Sequence, residues 1–448
     1  MDIVLSYPNQ VFISLFLAFV FGVIATFKPN FAFYAVCLFL PAYILRIRGT
    51  VIPTNILELL IVMTVMGWLG YSLGHRKTHQ NSQGTAIYLP DKRFLVGVGL
   101  IIIGAFISLA ISKNEFFLQG AGIFKGFIVE PIVFSIVLYS AVRQKLVSKE
   151  NIIKALVWSA SIVAIVSLIG SFIPSLEFWT YDNRLQGFYL SPNHLAMYLA
   201  PIIPLAIAQA VSRFASARDL SIRISRSGKG FLALMTLIGL PLAGILLLLI
   251  VLFLTKSFGA WLALAAAAIT ALFIWRKSFN PKVILPGGLI LSLIFGFIFR
   301  EELAGFLLNP ERSSWASRFQ IWSAALAILK DNPLLGIGLG TFQEYYLAYQ
   351  KYFSPYLEWA VPQPHNLILA FWLQTGMIGL IGFLWLVINF FARFYKIVKT
   401  IPHQSLQHGA GRAAIVCAVV MVLVQGSVDT TIWKNDLATL FFILINLF

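Results

Sequence analysis

The sequence predicts an all-α polytopic membrane protein of about 12–13 transmembrane helices with one large extracytoplasmic segment. Of its 448 residues, 59% are hydrophobic and only 11% are charged, against about 25% charged in an ordinary soluble domain. Mean hydropathy is +0.86. Apolar runs of bilayer length recur along the whole chain, and they lack the alternation of a membrane barrel, so helices must satisfy their backbone polar groups in lipid.

The first runs, 11–27 and 31–45, are short and are parted only by Lys28-Pro29-Asn30. They fit two tilted spans or a helical hairpin that stops short of crossing. Met1 to Gln10 carries Asp2 and no basic residue, so the first run reads as a retained span and not as a cleavable signal. Spans follow at 56–74, 94–112, 126–142, 151–173, 194–212, 231–254, 258–275 and 284–299. His75 and His79 fall in a polar linker after the third run and read as solvated, without further ligands for a metal. After a polar, aromatic-rich interval come spans at 366–392, 412–428 and 437–448; the last is short enough to tilt or to thin the bilayer. The chain thus divides into an N-terminal bundle (1–299), an extracytoplasmic segment (300–365) and C-terminal helices (366–448). Cys37 and Cys417 lie inside apolar runs and read as small buried hydrophobes, with no disulfide or metal site implied.

The net charge of +16 would suggest nucleic acid in a soluble protein. Here it sits in short loops between spans, and the positive-inside rule accounts for it without a nucleic-acid partner. Intervals 143–154, 213–229, 276–282 and 393–412 carry net +3 or +4, whereas 174–193, 300–365 and 429–436 each sum to −1. The first group is placed in the cytoplasm and the second outside, together with the turn 255–257. Arg46 and Arg48 fall on the wrong side of this scheme.

That sidedness singles out Arg184, Arg318 and His365, basic residues where none is needed for orientation. Ser191-Pro192-Asn193 reads as a cap with proline at the first helical position, and Pro364-His365-Asn366 is expected to open a span in the same way. Unpaired N–H groups at such starts favour an anion, and two of them beside two guanidinium groups could hold a diphosphate. The plainer alternative makes these residues surface ion pairs, Arg184 with Asp182 or Glu177, Arg318 with Glu311, and His365 with Glu358. Residues 311–330 have a helical period, with Trp315, Phe319, Trp322, Leu326 and Leu329 on one stripe, as for a helix at the outer interface or over the bundle mouth. Gly336, Gly338 and Gly340 follow a helix and lack a P-loop lysine-serine pair, so tight turns account for them better than a nucleotide. Lys256-Ser257 has no glycine-rich loop before it, and Lys256 marks headgroup level. Carboxylates near spans are few (Glu58, Glu130 and Asp429), which counts against an ion-coupled carrier.

The stretches SRFQIWSAALAILKDNPLLGIGLGTF and PHNLILAFWLQTGMIGLIGFL resemble the signature region of the O-antigen ligase and O-antigen polymerase superfamily, and RLQGFYLSPNHLAMYLA and LTKSFGAWLAL resemble its upstream blocks. The resemblance runs over roughly residues 184 to 440. It implies a bacterial inner (cytoplasmic) membrane enzyme with its active site facing outward. Such an enzyme transfers a polyprenyl-diphosphate-linked glycan to a glycan, lipid or protein acceptor, with no cofactor or essential metal. Carried onto this chain, Arg184 and Arg318 would hold the diphosphate, and His365 would activate or position the acceptor. The chain departs from the pattern twice. Ser257-Phe258-Gly259 stands where Ser-Arg-Gly is frequent, leaving Lys256 as a weaker source of charge, and Gln374 replaces a frequent glutamate. The polymerase reading stays open beside the ligase one. A lipid-linked glycan flippase or transporter fits the composition as well, and a non-catalytic scaffold in polysaccharide assembly is a third class.

Overall fold

The computed structural model describes residues 8–47, 49–78, 86–173, 179–224, 239–275, 314–353, 361–400 and 406–448. Arg48, His79, Glu177, Glu311, Glu358 and the expected span 284–299 lie outside them. The apolar runs within them are helices: α1 (Pro8–Phe27), α2 (Pro29–Leu38), α3 (Ile56–Thr78), α4 (Lys92–Ala110), α5 (Asn114–Ile123), α6 (Glu130–Arg143), α7 (Lys149–Ser171), α8 (Pro192–Leu199), α9 (Ile203–Ile224), α10 (Leu240–Leu254) and α11 (Phe258–Trp275). The expected extracytoplasmic segment contains α12 (Ser314–Asp331) and α13 (Phe342–Tyr349). Then come α14 (Leu367–Thr400), α15 (Leu406–Gly426) and α16 (Asn435–Leu447). Among the described residues, strand is confined to two short hairpins, β1 (Arg46–Ile47) with β2 (Thr54–Asn55) and β3 (Thr180–Tyr181) with β4 (Arg184–Leu185).

Among the described residues, six helical segments are long and apolar enough to cross a membrane: Ile56–Gly74, Lys92–Ala110, Asn114–Arg143, Lys149–Ser171, Pro192–Phe214 and Leu367–Ile397. The chain is therefore a polytopic all-α membrane protein. Shorter apolar helices fill in between, at Phe12–Phe27, Pro29–Leu38, Leu240–Leu254, Phe258–Ile274, Ala410–Gly426 and Asn435–Leu447.

The last of these corrects an expectation. Every residue of α16 is buried, with α6 and α15 packed along it. A helix enclosed by protein meets no lipid, so its 13 residues need neither tilt nor a thinned bilayer. The run at 31–45 also differs from a simple span: α2 stops at Leu38 and a 3-10 turn, Leu40–Ile44, carries the chain to the first hairpin.

The most extensive helix pair is α4 with α14. Glycines let these backbones approach, as small residues do between membrane helices. A Cβ placed on Gly104 would lie 2.6 Å from Thr375 O and 2.8 Å from Gly379 Cα, backbone atoms that cannot swing away. Gly104→Ala is accordingly expected to destabilise the protein by about 1–3 kcal/mol through overpacking, read as a lowered melting temperature in detergent. An unchanged melting temperature would mean that the two helices do not pack this closely.

Candidate functional site

Among the described residues, Arg143, Lys149, Arg393 and Arg412 gather at one end of the bundle. At the basic end, Lys149 donates to the Leu447 carbonyl and Arg393 lies over the Phe448 ring, so the C-terminus of α16 points there. The N-terminus of α16 points to the opposite end, where every candidate residue is found.

Arg184 is presented by the second hairpin. Its register, Tyr181 opposite Arg184, leaves a two-residue loop, Asp182-Asn183, with both φ values positive (51° and 53°). Asp and Asn tolerate that conformation, which matches the twist of paired strands. Arg184 Nε donates to the Thr255 carbonyl (2.9 Å) and Nη2 to Asn193 Oδ1 (2.7 Å). The hairpin is thereby tied to the turn before α11 and to the first turn of α8. Lys256 follows in that turn, exposed and with φ 46°. As read from sequence, Ser191 caps α8, accepting from the His194 N–H (3.2 Å), with Pro192 in the first turn.

Arg318 and His365 meet at a residue not counted among the candidates. Arg318 Nε donates to the Val428 carbonyl (2.9 Å), and its Nη2 stands 3.8 Å from Asp429 Oδ2. His365 Nδ1 lies 2.8 Å from Asp429 Oδ1. The carboxylate is 3% exposed, so one buried anion links the two basic residues. With Nδ1 donating to it, the neutral imidazole keeps Nε2 as its acceptor. The turn 255–259 also brings the two arginines near each other, because the Phe258 ring packs on Trp315, one helical turn before Arg318.

His365 does not open its span as Pro192 does. Asn366 is the cap, its Oδ1 accepting from the N–H groups of Ile368 and Leu369 (3.0 and 3.1 Å). At both helix starts, side chains thus already occupy N–H groups otherwise open to an anion. His365 itself has φ 45°, a conformation costing a non-glycine residue about 1–3 kcal/mol. It is held by Asp429, by Trp322 Nε1 donating to its carbonyl (3.3 Å) and by Asn366 Nδ2 donating to the Ser427 carbonyl (2.9 Å).

The glycine run behind His365 is a set of tight turns, with φ of 71°, 98° and 78° at Gly336, Gly338 and Gly340. It docks where α14 breaks at Gly376 (φ 65°, ψ −175°). The Ile337 N–H donates to Leu373 O (2.7 Å), and Met377 N–H to Leu334 O (2.9 Å). Gln374 closes the arrangement: its Oε1 accepts from the Gly340 N–H (3.1 Å) and its Nε2 donates to Gln363 Oε1 (2.7 Å). One side chain accepts and donates at once, which an amide does and an ionised carboxylate cannot. That role suits glutamine where glutamate is frequent.

A cavity of about 970 Å³ opens beside His365 and Asp429. Asn193, His194 and Gln363 line it near these two; Tyr43, Arg46, Asn55, Glu58, Lys434 and Asn435 form a second polar wall. Neither Arg184 nor Arg318 is in the lining, although their partners Asn193 and Asp429 are. In the second wall, Asn55 and Glu58 form a capping box at the start of α3. Glu58 also pairs with Lys125 (2.7 Å) and accepts from Asn435 Nδ2 (2.7 Å). Lys125 belongs to a π-helical turn, Phe124–Val129, whose Gly126 carbonyl accepts from Asn435 as well. Burial pushes the Lys434 ammonium down to about 8; Asp436 opposes that shift and Arg46 adds to it.

The stripe on α12 divides in two. Phe319 and Leu326 are exposed, and Trp315, Phe319 and Trp322 form a ladder of ring contacts. Leu329 instead joins Ile321, Ala324, Ala325 and Ile328 on the packing face. Phe319 and Leu326 thus mark the outer side, Trp322 packs against the inner cluster, and Arg318 points to Asp429.

Residues 243–384 match the model of a family described as O-antigen ligase, a narrower stretch than the 184 to 440 read from the motifs. It takes in Lys256, Arg318 and His365 and leaves out Arg184 and Asp429. The chain is similar to an O-antigen ligase of Salmonella typhimurium, 27% identical over 142 residues, which are 30% of this chain and 34% of that protein. It is also similar to an uncharacterized protein of Haemophilus influenzae, 24% identical over 160 residues, 32% and 40% of the two chains. The chain spans between a third and two fifths of the length of the curated relatives it matches.

Proposed function

We propose that this protein transfers a glycan from polyprenyl diphosphate to an acceptor hydroxyl at the extracytoplasmic face of the bacterial inner membrane, in the manner of an O-antigen ligase. The observation that carries this reading is the Arg318–Asp429–His365 constellation beside a cavity of about 970 Å³. The acceptor oxygen attacks the anomeric carbon as the bond from that carbon to the diphosphate oxygen breaks, and polyprenyl diphosphate leaves with the electron pair. Arg318 and Arg184 stabilise the charge that grows on the diphosphate, for which permanently charged, fork-shaped guanidinium groups are suited. His365 Nε2 takes the hydroxyl proton, and Asp429 steadies the imidazolium that results. Exposed Phe319 and Leu326 on α12 offer a surface for lipid.

The test is incubation of the purified protein with a defined polyprenyl-diphosphate oligosaccharide, alone and then with lipid, protein or glycan acceptors. Glycosylated acceptor and free polyprenyl diphosphate are the expected products. Chain-length ladders without added acceptor would assign a polymerase, the second reading. No release of polyprenyl diphosphate under any condition, with cysteines at positions 318 and 365 labelled from the cytoplasmic side, would assign a flippase instead.

A further inference from the structure

Resting on the transferase reading, we propose that the cavity wall carrying Arg46 and Lys434 is a subsite for an anionic group, a phosphate or a carboxylate, on the acceptor glycan. The cavity's two lining carboxylates already have basic partners. Glu58 is paired with Lys125, and Asp429 with His365 and Arg318. Lys434 is placed differently. Its ammonium forms no ion pair or hydrogen bond among the described residues and lies 5.9 Å from the centre of the Tyr43 ring. Asp436, the nearest acid in sequence, is fully buried and is not in the lining; Tyr189 donates to it. A cation held in a cavity without a paired anion is costly unless something arrives to meet it.

Two further features favour an anion there. Lys434 and Arg46 both line the cavity, so two cations face the same space, while the first turn of α16 behind them already carries Asp436. Arg46 is set into the wall by the first hairpin, whose register puts it opposite Asn55, itself a lining residue. This accounts for the charge that defied the positive-inside rule: Arg46 stands at the end of the bundle where orientation does not require it. Its place in the cavity gives it a different task.

The subsite shares its cavity with His365, where the acceptor hydroxyl must lie, while the diphosphate has Arg184 and Arg318. Arg46 and Lys434 also fall outside residues 243–384, the segment matched to O-antigen ligases. Selection of a particular acceptor is expected to rest on such chain-specific parts.

The experiment measures binding of separate probes to the full-length protein in detergent: glucose 6-phosphate, an oligogalacturonate and undecaprenyl diphosphate. Lys434→Gln and Arg46→Gln should each weaken the preferred acidic sugar by about tenfold or more and leave undecaprenyl diphosphate within about twofold. Lys434→Arg, which keeps the charge, should retain acidic-sugar binding. Equal loss in Lys434→Arg would assign Lys434 to packing and overturn the proposal. Failure of the wild-type protein to bind either acidic sugar would also overturn it. Parallel loss of undecaprenyl diphosphate would place these charges in the donor site, again overturning it. A wild-type protein that binds acidic sugar but no undecaprenyl diphosphate would count against the transferase reading and not against the subsite.

Discussion

Arg318→Ala is expected to abolish glycan transfer while the protein still inserts in the membrane and survives solubilisation. Two losses coincide in this substitution. The first is the guanidinium proposed to meet the leaving diphosphate; removing one donor of this kind costs about 10²–10³-fold in turnover. The second is the cationic neighbour of Asp429, which is 3% exposed and would keep only its hydrogen bond with His365. Arg318→Lys should remain strongly impaired, because a point charge does not reproduce the Nε contact with Val428 and the Nη2 approach to Asp429 together. A melting curve close to wild type for the lysine variant would separate loss of chemistry from loss of fold. Full transfer by the alanine variant in a reconstituted assay would remove Arg318 from the mechanism.

The spans and the cap at Ser191 were legible in the sequence because each is a local matter of period and cap chemistry. Asp429 was not legible. The partners that sequence offered to Arg318 and His365 were the near ones, Glu311 and Glu358, whereas the carboxylate that joins them comes from 111 and 64 residues away along the chain. Pairing across a bundle mouth depends on which loops meet, and periodicity carries no record of that. The burial of α16 was hidden for a similar reason: a short apolar run has the same composition whether lipid or other helices surround it. Arg46 did leave a signal, as a violation of the charge rule, before its neighbours could be named.

His365→Ala should depress turnover far more than donor binding. On the proposed mechanism the imidazole's contact with the acceptor hydroxyl strengthens as the proton moves, so its deletion would fall mainly on the transition state. Loss of one general base is expected to cost about 10²–10⁴-fold. The geometry adds a second arm. Asp429 fixes the ring through Nδ1, and Trp322 and Asn366 hold the backbone at φ 45°; Asp429→Asn should therefore lower turnover even with the histidine in place, by disturbing which nitrogen faces the acceptor. His365→Gln can restore a hydrogen bond but cannot carry a proton away, so partial recovery by glutamine would assign positioning as the larger part of the effect. Turnover at saturating acceptor and binding of the lipid-linked donor, measured on the same detergent-purified variants, distinguish these cases. A His365→Ala protein that binds donor poorly yet turns over normally at saturation would make the histidine a substrate-capture residue and leave the proton to another group.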